Sequence, residues 1–133
     1  MELPAITGEN LIKSASLDWI DNVYRTSIPD DVIGNTDTTD VLVTEYLNEP
    51  ARYGNSRFKG WSIGVEVQVF YKDHLDHEFN MMGAEIGLAK LFEKNGWSVS
   101  QSRDHIKDPD TRQMSKVFYF TKNLNLTEED LHG

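Results

Sequence analysis

The stretch from Ile63 to Tyr71 constrains the fold of this chain more than any other. It runs Ile-Gly-Val-Glu-Val-Gln-Val-Phe-Tyr. On an extended backbone Ile63, Val65, Val67, Val69 and Tyr71 face one way, and Gly64, Glu66, Gln68 and Phe70 the other. This predicts a central strand with a plain apolar inner face. The outer face is mixed, and if no layer covers it, Phe70 is left to meet a neighbouring molecule.

Such a strand needs partners beside it and a layer over it, and the flanking segments supply both. Asp40 to Leu47 is β-rich and is expected to pair with it. Between the two, Asn48 to Gly60 holds Pro50, Gly54 and Asn55 and is basic at Arg52, Arg57 and Lys59, which suggests a long hairpin arm. Trp97 to Arg103 and Met114 to Thr121 read as two further strands, separated by the turn-forming Asp108-Pro109-Asp110-Thr111.

Two helices are expected. Thr7 can cap the first, which runs to about Arg25 before Pro29 stops it. On a helical wheel Leu11, Ile12, Ala15, Trp19, Ile20, Val23 and Tyr24 cover more than half the circumference, wider than one packing contact uses. The second runs from about Asp76 to Lys94 and is closed by Asn95-Gly96. Met81, Met82, Ala84, Leu88, Ala89, Leu91 and Phe92 form its apolar arc, with Phe79 and Ile86 off its centre and Glu85 within it. A second apolar face on this helix would suit an oligomer contact. The element order αββαββ predicts an α+β two-layer sandwich, a four-stranded, mainly antiparallel sheet with both helices on one face. The domain is expected to span 1–123, followed by an acidic tail over 124–133.

At 133 residues one core suffices. The absence of cysteine excludes disulfides and thiolate chemistry. No apolar run approaches the roughly 18 residues of a membrane span, and no basic segment leads an apolar one at the N-terminus, so the expected location is the cytoplasm, without membrane association. A formal charge of −9 disfavours ordinary nucleic-acid binding. It does not exclude a protein that must let DNA pass without sticking.

No motif names a reaction. His74 and His77 sit among Asp73, Asp76 and Glu78, residue types that bind zinc or manganese. They are three apart at a helix start, however, where acidic side chains also serve the helix N-terminus. A small metal-dependent enzyme built on them is the rival reading from another class. Asp104, His105 and the Asp108 to Thr111 cluster lack the glycine and distal glutamate of a calcium loop. There is no nucleophile elbow and no phosphate-cradling loop. Glu85 on an apolar arc reads as a perturbed carboxylate or, more simply, as a partner for an Arg or Lys. No catalytic, cofactor-binding or metal residue is assigned, and no cofactor is expected.

Five pieces in order carry a family resemblance: Val41-Leu42-Val43-Thr44-Glu45, Tyr53-Gly54-Asn55, Val69-Phe70-Tyr71, Gly96-Trp97, and Asp108-Pro109-Asp110-Thr111 with Gln113. Over about residues 40–121 the chain resembles a family of small proteins in the tail-gene cluster of siphophages infecting Gram-positive bacteria. That family is similar in size and element order to tail-terminator and tail-completion proteins. The resemblance implies a structural virion protein and no enzyme. Such a protein would form a homo-oligomeric ring, hexameric by analogy, that caps the tail tube, stops its growth and joins it to the capsid; a head-closure or neck component is the alternative. Its partners would be the tail tube protein and head-tail connector proteins, with genome DNA passing unbound, first in the host cytoplasm and then in the virion tail. The residues expected at contacts are Arg52, Tyr53, Arg57, Lys59, Phe70, Phe79 and Ile86.

Overall fold

In the computed structural model, which describes residues 1–127, the alternating stretch is the second half of a long strand. In chain order the elements are α1 (Pro4–Ala15), β1 (Asn22–Arg25), β2 (Asp40–Gly54), β3 (Arg57–Phe70), α2 (Met81–Lys94), β4 (Ser98–Ser102), β5 (Ile106–Lys107) and β6 (Met114–Asn125). The sheet runs β1-β2-β3-β6-β4, with β5 also paired to β6. Only β1 and β2 are parallel; every other pair is antiparallel. The protein is thus an α+β fold, but its sheet has six strands and not the four expected.

The inner face follows the sequence pattern. Ile63, Val65, Val67, Val69 and Tyr71 are all buried. Their neighbours on the same face come by register, since Val41 opposes Val69, Val43 opposes Val67, and Phe118 and Phe120 oppose Val67 and Val65. Both helices lie on this face. In α1, Gly8 lies so close that a Cβ there would come within 3.0 Å of Val43 and 3.5 Å of Val65, and on α2 Phe92 stacks on Phe120 with ring centroids 4.0 Å apart. Burial of these apolar side chains is the main stabilising contribution, about 1.5–3 kcal/mol for each fully covered one.

Helix α1 departs from expectation at both ends. Pro4 occupies the first turn, where its missing N–H costs nothing, so Thr7 lies inside the helix and does not cap it. The helix stops at Ala15 because Ser16 turns left-handed (φ 50, ψ 50). The wide apolar spread on the wheel belongs to two elements: Val23 and Tyr24 sit in β1, paired with Val41 and Leu42. Leu17, Trp19 and Ile20 in the intervening turn pack on the core edge.

Helix α2 also starts later than expected. Asn80 caps it, its Oδ1 accepting from the Gly83 amide at 2.9 Å, so Asp73 to Glu78 lie in the preceding connection. Its end matches expectation, with Gly96 left-handed at φ 88. The strand β6 continues to Asn125, two residues past the expected domain boundary, because Leu124 and Asn125 pair with Trp61 and Gly60. The acidic run Glu128-Glu129-Asp130 lies outside the described residues.

Candidate functional site

The long hairpin arm expected over Asn48 to Gly60 is built from the paired ends of β2 and β3. Tyr53 pairs with Phe58 and Gly54 with Arg57, leaving Asn55 and Ser56 as a two-residue turn with φ of 53 and 63, the turn geometry that suits strand twist. β6 reaches only Gly60, with one further bond from the Leu126 amide to the Lys59 carbonyl. Beyond this point, among the described residues, β2 and β3 pair only with each other. The projecting tip carries Arg52, Arg57 and Lys59, with no acidic residue between Pro50 and Val65. Tyr53 is 66% exposed and Phe58 46%, and they meet edge to face with centroids 6.5 Å apart. A hairpin that buries so little has its stability set by the sheet behind it.

At the opposite end of the same two strands, the outer face forms a groove of about 590 Å³. Its floor is Leu42, Gln68 and Phe70. One wall is Ile28, Val32 and Ile33, and the other is Ile106 and Pro109. Buried Gln113 ties the walls together, its Nε2 donating to the carbonyls of Asn35 and Tyr71 at 3.2 and 3.3 Å. Asp108 Oδ1 accepts from the amides of Asp110 and Thr111 at 2.8 and 3.3 Å, so the Asp-Pro-Asp-Thr cluster is a turn that shapes the wall. Farther along the outer face Tyr46 and Tyr119 pack at 4.7 Å, with Arg103 over the Tyr119 ring.

The remaining residues expected at contacts separate. Phe79 packs against Trp19 and Tyr71 with centroids about 6 Å apart, within the molecule. Ile86 is 51% exposed and borders a hollow between α2 and β4 lined by Met82, Val99 and Phe118. Arg52, Tyr53, Arg57 and Lys59 are together at the tip, and Phe70 is on the groove floor, far from them.

One buried polar cluster underlies α2. Glu85 Oε2 accepts from the Tyr71 hydroxyl at 2.6 Å and stands 2.7 Å from His105 Nε2. The expected Arg or Lys partner is replaced by a tyrosine and a histidine, because Glu85 faces inward toward the end of β3. Burial first, then the hydrogen bond to Glu85 and its charge, raise the Tyr71 pKa above the ordinary 10. Nearby Lys116 is buried, donating to Ser102 Oγ at 2.8 Å and to the Arg103 carbonyl. These bonds tie the β4–β6 connection to the core. His74 is exposed beside Asp73, and among the described residues no three His, Asp or Glu side chains converge as metal ligands.

Residues 3–125 match the family described as a protein of unknown function, DUF806. The chain belongs to that family. The matched region ends with β6, so it takes in both helices, the whole sheet, the arm and the groove. Comparison with curated proteins gives no match. Among the described residues no helix is long and apolar enough to cross a membrane.

The groove's apolar walls were missed in the sequence. Ile28, Val32 and Ile33 lie in a segment without periodicity, and Ile106 lies in a two-residue strand. The only local signal was three apolar side chains within six residues of an otherwise polar, Asp-rich loop.

Proposed function

We propose that this DUF806 protein is a phage tail structural protein, a tail terminator that acts as a ring on the end of the tail tube and catalyses nothing. The observation that carries the reading is the basic tip of the β2–β3 hairpin on a chain whose overall charge is −9. The projecting strands touch the core through Phe58 against Trp61, 5.6 Å between centroids, and their exposed aromatics gain further burial against another molecule. A closed ring needs two different complementary patches per subunit, and the arm supplies one. The neighbours in this reading are further copies of the chain, the tube protein and the head-tail connector, assembled first in the host cytoplasm. The acidic balance lets DNA pass without capture.

The test is loss of the chain from a phage that encodes it. Tubes of unregulated length beside filled, unjoined heads are the result expected. Tubes of normal length beside leaking or unjoined heads would move the protein to the neck, and intact infectious virions would sink both readings.

A further inference from the structure

The arm and the groove are complementary in shape class and in charge. The arm tip offers the paired, exposed aromatics Tyr53 and Phe58 on one face; strand alternation puts Arg57 and Lys59 on the other, with Lys59 against Gly54, and Arg52 lies over Gly60. The groove offers an apolar interior of Leu42, Phe70, Ile33 and Ile106. Around it, the segment 26–40 carries Asp30, Asp31, Asp37 and Asp40 with no lysine or arginine, and the opposite wall adds Asp108 and Asp110 against Lys107 and Arg112. Asp40 is buried and already holds Asn22 and Thr38, and Asp108 Oδ1 already holds the Asp110 and Thr111 amides, so the acidic groups left for a partner are Asp30, Asp31, Asp37 and Asp110. An apolar centre inside a charged rim is the arrangement in which interface energy concentrates.

The two features lie at opposite ends of one hairpin. About a dozen residues of extended chain separate Leu42 from Gly54, roughly 40 Å at the rise of a strand. The stiff arm cannot fold back on its own groove, so a second copy must supply the tip. We infer that the arm of one subunit seats Tyr53 and Phe58 in the Phe70 groove of the next, with Arg52, Arg57 and Lys59 against that subunit's aspartates. The contact is head to tail. Repeated about an axis, such a contact gives a ring where its rotation closes and an open filament where it does not. The inference rests on the ring reading for its biology, but its geometry stands apart from it.

The natural absence of cysteine makes a direct test possible. Ser56→Cys puts a near-isosteric thiol in the exposed tip turn beside Tyr53 and Phe58 and leaves both aromatics in place, Ile33→Cys puts one on the exposed groove wall, and Met82→Cys puts one on α2. Each variant is prepared as the full chain, and pairs are mixed under mild oxidation over a concentration series reaching the millimolar range. The Ser56→Cys and Ile33→Cys pair is expected to form a disulfide heterodimer at least tenfold faster than Ser56→Cys with Met82→Cys. Adding Arg52→Glu, Arg57→Glu and Lys59→Glu to the tip should remove that advantage. The double variant carrying both cysteines should give a ladder of covalent oligomers. Equal rates for groove and control overturn the inference and leave the groove to a partner other than this chain. Sedimentation of the unmodified protein separates the two readings. A ring without the tip-to-groove disulfide keeps the ring and removes this contact, whereas a disulfide confined to closed dimers keeps the contact and removes the ring.

Discussion

The two faces of the sheet use the same strands for different ends. On the inner face Val41, Val43, Val65, Val67, Val69, Phe118 and Phe120 are all buried beneath α1 and α2. On the outer face their immediate neighbours Leu42, Gln68, Phe70, Val117 and Tyr119 are only partly covered. Among the described residues no helix crosses them; two connecting segments wall off one end as a groove, and the other end runs out as the arm. Alternation along one strand therefore separates buried core from partly covered surface, residue by residue. A substitution one position away should change which property is lost.

The largest effect is expected inside. Phe120→Ala removes the ring on which Phe92 stacks and should cost about 3–5 kcal/mol in denaturant unfolding. Phe70→Ala, across the sheet, should cost well under half of that while weakening self-association, as read by sedimentation. If both variants lose the same stability, the faces do not differ in the way described.

Next comes the turn that ends α2. Gly96→Ala places a side chain at φ 88 and should cost about 1–2 kcal/mol, with no change in association once folded. This separates an effect on the fold from an effect on the surface.

The Tyr71 cluster sharpens the comparison by pH. Tyr71→Phe deletes the bond to buried Glu85 and should destabilise by about 1–3 kcal/mol. Because folding raises the Tyr71 pKa above 10, the unfolded chain ionises first. The tyrosine's contribution is complete below pH 10 and declines as the pH climbs from there toward the folded-state value. Urea unfolding above pH 10 should therefore fall less steeply in Tyr71→Phe than in the natural protein. Equal slopes would remove the coupling between Tyr71 and Glu85. The smallest effect is expected at Ile86, where Ile86→Asp on an exposed helix face should change stability by no more than about 0.5 kcal/mol.

How much of this was legible in the sequence depends on the range over which each signal acts. The inner face of β3 and the Asn95-Gly96 stop of α2 are local patterns, and both are as expected. β1 was hidden because Val23 and Tyr24 continue a helical spacing from Ile12, whereas their pairing with Val41 and Leu42 crosses a connection of 14 residues, 26–39. The left-handed Ser16 that separates the two carries no strong sequence mark. The basic hairpin arm was visible as composition, and its first strand runs on to Gly54. The groove was invisible because its floor and walls come from residues 28–35, 42, 68–70 and 106–115. No single window contains them. Glu85 was correctly singled out as unusual, yet its partners at positions 71 and 105 are set by the inward turn of α2, which periodicity alone did not supply.

The central claim is that the arm is an assembly surface and not a decoration of the fold. Sedimentation velocity on the natural chain and on the Arg52→Glu/Arg57→Glu/Lys59→Glu variant, matched in concentration up to the millimolar range, addresses it most directly. The account predicts equal unfolding midpoints for the two proteins, with oligomers in the natural chain and a 15.2 kDa monomer in the variant. Two folded proteins that sediment alike at every concentration would contradict it.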